Sequence, residues 1–407
     1  MSGKTPFKLL LSHEDAVKIS LEHVKPIDRV EWVDLDASLK RVLAEDIVAD
    51  RAVPPFDRAA MDGFAVKAED TFGASTSTPK TLTLGEIVYA GEVPSKTVKS
   101  GECTQISTGG PIPEGSDAIV MLEFTEKAEG YVKVLKPVYP GANISRRGED
   151  IDEGTRVLTH GEHLTPSKVG VLAALGRETV KVYAKPHITV VPTGSEICPV
   201  GSKLGKGQVY DINSHTLSAI ASENGALVTR FRIVPDTPAE LEDAVKTLLH
   251  NDMIIVAGGS SVGERDLFQG IIQKLGTVLF HGVQVKPGKP TLFGLVEEKP
   301  VFGMPGYPTS CLSNAHLFLI PALRKLARLP PKREAIMRAR LAERVVSSSG
   351  RKQFLTVKVK EGFAYPVFKH SGAITSMAEA DGYIVLPTNV DVVEKGDEVT
   401  VTLLNEE

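Results

Sequence analysis

The fold class of this chain follows from the stretch IIVAGGSSVGERD, residues 254–266. Four apolar residues run directly into a loop of small residues that ends on charged side chains. This order is typical of a buried strand followed by a loop that cradles phosphate. The loop matches neither familiar glycine-rich signature, since no Gly-Lys-Ser/Thr follows and the spacing is not G-x-G-x-x-G. Taken alone, the stretch is equally well interpreted as an ordinary strand-to-helix turn.

The segments around this stretch alternate between strand and helix patterns, from residue 185 to residue 329. The strand patterns are HITVV, ALVTRFRIV, DMIIVAGG, TVLFHGVQV, TLFGLV and KPVFGM. The helix patterns are SHTLSAIASENG, TPAELEDAVKTLLH with Asp236 or Thr237 as its cap, DLFQGIIQKLG and TSCLSNAHLFLIPALRKLARL. Such alternation predicts a three-layer α/β/α domain with a mostly parallel sheet.

Three further segments flank this domain, and together they predict a multi-domain α/β plus β protein. Residues 1–50 and 141–184 predict a linking domain of mixed helical and extended structure. Its helices are expected at residues 12–24, capped by Ser12, and at TPSKVGVLAALG, where Pro166 takes the first position. Residues 51–140 predict an inserted small β module, because short β-rich runs alternate with Gly/Pro turns. Residues 330–407 predict a C-terminal β domain of barrel-like form.

The composition narrows the classes of protein. A net charge of −4 and a pI of about 6.2 provide no basic field, so we expect no nucleic-acid partner. Three widely spaced cysteines indicate a reducing compartment without a structural zinc site. No apolar run approaches the roughly twenty residues of a membrane span, and no signal peptide is evident. We therefore expect a cytoplasmic protein without a membrane partner.

Four Gly- or Pro-rich loops of the 185–329 domain are expected at the carboxyl edge of the sheet, where open α/β sheets bind ligands. Lys286 and Lys289 flank a Pro-Gly turn and suit phosphate oxygens. Glu196 and Asp266 stand in neighbouring loops. Near a surface, like charges 4 Å apart repel by about 4 kcal/mol, so a divalent cation is expected between carboxylate and phosphate. Mg²⁺ fits this role, with Glu196, Asp266 and Asp236 as candidate metal ligands.

The β module contributes three more polar loops, each of which is equally consistent with a solvated turn. Asp62 lies in PPFDRAAMDGFAV, and Thr108 lies in ISTGGPIPEGSDAIVM. NISRRGEDI places Arg146 and Arg147 beside Asp150, and arginine pairs bind oxyanions bidentately. Nothing in the chain resembles a Ser-His-Asp or Cys-His arrangement.

These motifs, with PTGSEI, GGSSVGERD, KPGKP and GMPGYPTS, resemble in order and spacing the molybdopterin molybdenumtransferases of the MoeA type, which are related to the gephyrin E domain. The resemblance covers all four segments. It implies the final step of molybdenum cofactor synthesis, in which molybdate is inserted into adenylylated molybdopterin with Mg²⁺ and AMP is released. It also implies a homodimer, with a molybdopterin adenylyltransferase as the donor of the substrate.

The resemblance assigns roles to individual residues. The implied catalytic residues are Asp62, Thr108, Asp150, Glu196, Asp266 and Lys286. The implied cofactor-binding residues are Gly194, Ser195, Gly258, Gly259, Ser260, Ser261, Gly263, Lys289, Pro305, Gly306, Ser371 and Ser376. The linking domain would hold the dimer, and each cleft would combine the sheet domain of one subunit with the β module of the other. A tungstate-inserting enzyme, a non-catalytic scaffold and a nucleotide pyrophosphatase are the alternatives.

Overall fold

The computed structural model describes residues 10–258, 267–347 and 350–404. The chain forms two compact units. Unit 1 comprises Met1–Glu31, Lys40–Val42 and Val182–Glu407, and unit 2 comprises Trp32–Leu39 and Leu43–Lys181. Within the described ranges, no helix combines the length and apolar character that a membrane crossing needs.

A six-stranded sheet lies at the centre of unit 1. Its strands are β1 (His187–Pro192), β2 (Leu227–Arg230), β3 (Met253–Ala257), β4 (Gly276–His281), β5 (Leu292–Val296) and β6 (Lys299–Met304), in the spatial order β2-β1-β3-β6-β5-β4. The neighbouring strands β2, β1, β3 and β6 are parallel to one another, whereas β5 is antiparallel to both of its neighbours. The sheet is therefore mixed, but β5 is its one reversed strand and three of its five strand pairings are parallel, so the sheet is mostly parallel as expected.

The reversal at β5 has a local cause. Only Glu297 and Glu298 separate β5 from β6, and both have positive φ, 48° and 65°. Two left-handed residues form the tight turn of a hairpin, whereas a parallel crossover needs a dozen residues or more. A two-residue connection therefore forces β5 and β6 to be antiparallel.

Helices pack on both faces of this sheet. They are α1 (Asn213–Glu223), α2 (Pro238–Thr247), α3 (Leu267–Leu275), α4 (Pro308–Asn314) and α5 (Ile320–Leu326). On one face the core joins strand residues such as Val190 and Ile255 to α1, α4 and α5. On the other face it joins Ile254 and Val256 to α2 and α3. Because neighbouring strand residues point to opposite faces, the continuous apolar run of β3 serves both cores.

The last helix of this domain departs from the prediction of one regular helix through residue 329. It ends at Leu326 and contains a π-helical turn over Ala315–Leu319, between α4 and α5. Pro321 explains the turn, because it has no N–H and its ring would collide with the carbonyl of Leu317 in regular α-geometry. That carbonyl instead lies 3.4 Å from Nε2 of His13.

The N-terminal helix of unit 1 confirms its predicted cap. The helix spans His13–His23, and the hydroxyl of Ser12 accepts the N–H of Asp15 at 3.0 Å. The helix buries Ala16 in the same core as α5. In α2, Thr237 rather than Asp236 takes the cap position.

The C-terminal part of unit 1 is a closed five-stranded barrel, as predicted in outline. Its strands are Ile336–Leu341, Lys352–Lys360, Phe363–Pro366, Gly382–Leu386 and Glu398–Leu403. Short strands at Val345–Val346 and Val392–Val393 pair beside it, and Thr375–Ala378 forms a single helical turn. The barrel also pairs in parallel with Val285–Lys286, where the KPGKP loop (residues 286–290) begins.

Unit 2 is built mainly of strands. Six of them form one sheet: Gly63–Val66, Lys80–Val88, Glu102–Ile106, Ala118–Met121, Thr125–Ala128 and Tyr131–Val134. Short pairs join Ile47–Val48 to Arg156–Leu158 and Arg58–Ala59 to Ile144–Ser145. Its helix, Pro166–Ala174, begins with proline after Thr165, as predicted. The strand Val30–Asp34 pairs with Thr179–Tyr183, and in unit 1 the short strands Ile197–Cys198 and Val209–Tyr210 pair with each other.

Candidate functional site

The register of the central sheet brings the four predicted loops to one edge. In the parallel strands, Pro192 pairs with Ala257 and Ala257 pairs with Met304, so the loops after β1, β3 and β6 begin side by side. At the end of β4, His281 pairs with Leu292, and Leu292 pairs with Gly303 near the end of β6. The KPGKP loop between β4 and β5 therefore starts at the same edge.

Backbone contacts hold the first three loops together at this edge. The N–H and the hydroxyl of Thr193 donate to the Ala257 carbonyl at 2.9 and 3.3 Å. The N–H of Gly258 donates to the Met304 carbonyl at 3.2 Å. Gly258 has a φ of +115°, and a Cβ atom there would lie 2.5 Å from the Thr193 carbonyl oxygen. Glycine is therefore required where the chain leaves β3.

The side chain of Asn314 holds the KPGKP loop in place through hydrogen bonds. It is fully buried, and its Nδ2 donates to the carbonyl of Gly288 at 2.5 Å and to the Thr291 hydroxyl. A Cβ at Gly288 would lie 2.4 Å from the same Nδ2, so this position also requires glycine. At the other end of the loop, Lys286 pairs with Gln353 of the barrel. The backbone of the loop is thus fixed on two sides, with both Lys286 and Lys289 half-buried.

The half-buried side chain of Asn213 supports the loop after β6. Nδ2 of Asn213 donates to the Gly306 carbonyl at 2.7 Å. Asp211 accepts the N–H of Ser214 at 3.0 Å and lies close enough to act on Cys311. Burial, with a smaller contribution from Asp211, raises the pKa of Cys311 well above its usual range. Cys311 is therefore a protonated thiol at neutral pH, and all three cysteines are free and buried.

The residues that the sequence predicted at this edge differ in their exposure to solvent. Ser195 and Glu196 are exposed, Gly194 and Pro305 are buried, and Gly306 is exposed. Gly258 is half-buried, and Asp236 is exposed before α2. Five predicted residues lie outside the described residues: Gly259, Ser260, Ser261, Gly263 and Asp266.

The side chains of the described residues can be compared with the ways in which proteins bind Mg²⁺. Within them, no three His, Cys, Asp or Glu side chains stand together as a metal cage. Mg²⁺ commonly binds one or two protein carboxylates and completes its shell with substrate phosphates and water. The exposed carboxylate of Glu196, in the loop after β1, fits that mode. The roles of Glu196, Asp236 and Asp266 as metal ligands remain predictions.

The C-terminal segment reaches the same edge through its backbone. The N–H of Thr309, in the first turn of α4, donates to the Ser371 carbonyl at 2.9 Å, and the Thr309 hydroxyl donates to Ala373 at 2.8 Å. Ser371 is half-buried there. Ser376 is fully buried and its hydroxyl accepts the N–H of Lys369 at 3.0 Å, which gives it a supporting position in the barrel.

Unit 2 brings together two of its own predicted residues. Oδ1 of Asp62 accepts the N–H of Thr108 at 2.7 Å and the Thr108 hydroxyl at 3.0 Å. These two hydrogen bonds hold the pKa of Asp62 below its usual range. Asp62 adjoins Gly63, where a Cβ would lie 2.2 Å from the Val120 carbonyl oxygen, so the strand must begin with glycine.

Asp57 is a residue of this cluster that the sequence did not identify. Its carboxylate accepts Nη1 of Arg146 at 2.7 Å and the N–H of Arg147 at 2.8 Å. The hydrogen bond from Arg147, followed by that from Arg146, lowers the pKa of Asp57. Arg147 also donates to Glu153 at 2.9 Å. Both predicted oxyanion ligands are therefore held by carboxylates. The only sequence signal for Asp57 was that it lies in the same motif as Asp62.

Backbone hydrogen bonds join the three polar loops of unit 2. Ala59 donates to Gly110 at 2.9 Å and accepts from Gly109 at 2.8 Å, while Ala60 donates to Asn143 at 2.9 Å. Asp150 is exposed in the third loop, and its N–H donates to Val53 at 3.1 Å. The joined loops thus carry the guanidinium groups of Arg146 and Arg147, which are the groups of this cluster that can bind an oxyanion.

Comparisons with known proteins agree along the whole chain. Residues 11–176 match the MoeA N-terminal region (domain I and II), residues 189–325 match a probable molybdopterin binding domain, and residues 338–404 match the MoeA C-terminal region (domain IV). The molybdopterin molybdenumtransferase of Bacillus subtilis is 34% identical over 396 residues, covering 95% of this chain and 92% of that one. The Haemophilus influenzae enzyme of the same name is 32% identical over 405 residues, covering 97% and 99%. A molybdopterin biosynthesis MoeA protein structure from Pyrococcus horikoshii aligns with a TM-score of 0.83 at 38% identity, over 98% of this chain and 100% of that one.

Proposed function

The chain belongs to the MoeA family of molybdopterin molybdenumtransferases and acts in molybdenum cofactor biosynthesis, and we propose that it catalyses the final step of that synthesis. In this step molybdate is inserted into adenylylated molybdopterin in a Mg²⁺-dependent reaction that releases AMP. The observation that carries the proposal is the KPGKP loop, which Asn314 and the barrel hold at the carboxyl edge of the sheet. A pyrophosphate needs such fixed cations.

The residues of the sheet edge would bind and orient the nucleotide end of the substrate. Lys286 and Lys289 supply positive charge to the phosphate oxygens, and their fixed backbone limits the ordering that binding requires. The glycines and serines of the neighbouring loops allow close approach of the ligand. Glu196, with Asp236 and Asp266, would hold Mg²⁺, which neutralises the charge that develops on the departing phosphate.

The polar surface of unit 2 would handle the oxyanion. Asp62, like any aspartate of ordinary or lowered pKa, is ionised at neutral pH, and it orients the Thr108 hydroxyl as a hydrogen-bonding group. Arg146 and Arg147 can exchange a carboxylate partner for an incoming tetrahedral oxyanion. Asp150 would complete this set of catalytic residues.

The family resemblance supports a homodimer held by residues 1–50 and 141–184. Each site would then use Asp62, Thr108 and Asp150 of one subunit and Glu196, Asp266 and Lys286 of the other. Residues 51–140, 185–329 and 330–407 would be the remaining domains. We further propose a cytoplasmic location, a molybdopterin adenylyltransferase as substrate donor, and no nucleic-acid or membrane partner.

Turnover of adenylylated molybdopterin tests the proposal. We expect AMP release that requires Mg²⁺ and molybdate together, and its loss in Lys286→Ala with the fold retained. Lys358→Ala, at an exposed barrel position, is the matched control. AMP release without any oxyanion would indicate a nucleotide pyrophosphatase. Faster turnover with tungstate would identify a tungstate-inserting enzyme, and tight binding without turnover would identify a scaffold.

A further inference from the structure

A cavity of about 390 Å³ lies in unit 1 between α5, the segment that follows it and the barrel. Its lining includes Ile320, Pro321, Tyr383 and Leu403. Among the described residues, this lining shares no member with the loops of the sheet edge. The cavity is therefore a separate feature that the proposed reaction does not use.

Two titratable side chains of the lining, His316 and Tyr383, are uncharged at neutral pH. Burial, with a smaller contribution from the charge of Lys332, lowers the pKa of His316 to about 4. Burial likewise raises the pKa of Tyr383 to about 12. Phe354 stacks on the Tyr383 ring with centroids 4.2 Å apart, and the His316 ring lies 6.0 Å from it. The His316 and Tyr383 rings thus give the lining an uncharged aromatic part at physiological pH.

The lining also carries strong positive charge at its polar positions. Four cations line it, Arg324, Lys325, Lys332 and Arg333, against one acid, Glu334, which leaves a local charge of +3 (4 − 1). The whole chain has a net charge of −4, so this excess is local. Within the described residues, Lys325, Lys332 and Arg333 form no ion pair. Such a site favours an anion.

Two of these cations are fixed by backbone carbonyls. Nε of Arg324 donates to the Pro330 carbonyl at 2.7 Å, and Nζ of Lys325 donates to the carbonyl of Leu21. The Leu21 carbonyl positions the charge of Lys325 without cancelling it, whereas a carboxylate would do both. The π-turn before Pro321 forms part of the same wall, and such turns occur frequently at functional sites.

We propose that this cavity binds a small amphipathic anion, namely an aromatic or branched aliphatic group that carries one carboxylate, sulfonate or phosphate. The volume lies at the lower end of the ~300–1,000 Å³ that small-molecule sites occupy, which suits a compact ring system. The ring packs against Tyr383 and Pro321, and the anionic group meets Lys332 and Arg333. The site is distinct from the molybdopterin site and needs no product of that reaction.

Fluorescence titration with 8-anilinonaphthalene-1-sulfonate, an aromatic anion, tests the proposal on the full-length chain. The double variant Lys332→Glu/Arg333→Glu reverses the local charge and is expected to weaken binding about tenfold or more. Lys358→Glu/Lys360→Glu makes the same charge change on exposed barrel positions outside the lining and should bind like the unmodified chain.

A cavity-filling variant tests the location independently of charge. Ala335→Phe places a ring in the space and is expected to abolish probe binding, with circular dichroism confirming that the fold is retained. Equal affinity of the unmodified chain and the Lys332→Glu/Arg333→Glu variant would overturn the proposal. Absence of probe binding to the unmodified chain, or binding that survives Ala335→Phe in a folded protein, would overturn it as well.

Discussion

Replacing Asn314 by leucine removes the amide that holds the KPGKP loop while nearly keeping the side-chain volume. Two hydrogen bonds disappear, one to Gly288 and one to Thr291. Each is worth about 0.5–1.5 kcal/mol net, which gives a gross loss of about 1–3 kcal/mol. Two features reduce this loss of free energy. The Thr291 hydroxyl still donates to Gly288 at 3.1 Å, and Oδ1 of Asn314, which has no hydrogen-bond partner among the described residues, no longer needs one.

The expected net cost is therefore about 1–2 kcal/mol, concentrated in the loop, which corresponds to roughly tenfold more opening. Hydrogen–deuterium exchange measures it directly. The N–H groups of Gly282 and Val283 close the loop by donating to Thr291 and Lys289, each at 2.9 Å. Their exchange should accelerate about tenfold. Fluorescence of the single tryptophan would miss the change, because Trp32 belongs to unit 2.

Ser313→Ala is the matched control for this variant. Ser313 is also fully buried, but its hydroxyl donates only within its own helix, to Ser310 at 3.1 Å. We expect little change in loop exchange in this variant. The affinity for molybdopterin should fall about tenfold in Asn314→Leu alone, because the loop lysines lose their fixed position. Unchanged exchange at Gly282 and Val283 in Asn314→Leu would refute the clamp.

Three further predictions concern other groups. Lys286→Ala should weaken calorimetric binding of molybdopterin while leaving the melting temperature nearly unchanged; equal affinities would make Lys286 a solvated loop charge. Mixing Asp62→Ala with Lys286→Ala subunits should restore about a quarter of normal turnover, since half of the dimers are mixed and each has one intact site; no recovery after verified exchange would place both residues in one chain's site. The stability of unit 1 should rise with pH between about 4 and about 6.5, because unfolding lets His316, whose pKa is lowered to about 4, take up a proton. The total effect is on the order of 3 kcal/mol, and His316→Gln should remove it while His250→Gln, at an exposed position, should not; an unaltered slope in denaturant midpoints against pH would contradict this assignment.

Local signals predicted much of the architecture, whereas tertiary pairing escaped them. The cap at Ser12 and the proline start at Pro166 depend on neighbouring residues, so the sequence shows them directly. The hairpin between β5 and β6 was missed because Glu297 and Glu298 adopt left-handed geometry without the usual Asn-Gly signal. The π-turn was missed because Pro321 was absorbed into an apolar helix pattern.

For the candidate site as well, the sequence predicted some features and missed others. The loops could be placed at one edge because parallel strands end together, and the motifs supplied the residue types. The supporting residues were not predicted, because their partners are distant in the chain. Asn314 lies 26 residues from Gly288, and Asp57 lies 89 residues from Arg146. A lone asparagine in an apolar helix was the only hint of the first pairing.

The parallel pairing of Val285–Lys286 with the barrel has a consequence for how this protein can be cut or recombined. The backbone that carries the lysine shares a hydrogen-bond ladder with Lys352 and Gln353, and the Lys352 N–H donates to Gln284 at 2.8 Å. A truncated chain that ends at residue 329 would leave this short strand as an unsatisfied edge. Chimeras that exchange the C-terminal segment between relatives therefore have to carry over the 284–286 ladder as well, and the two segments are expected to be inherited as one module.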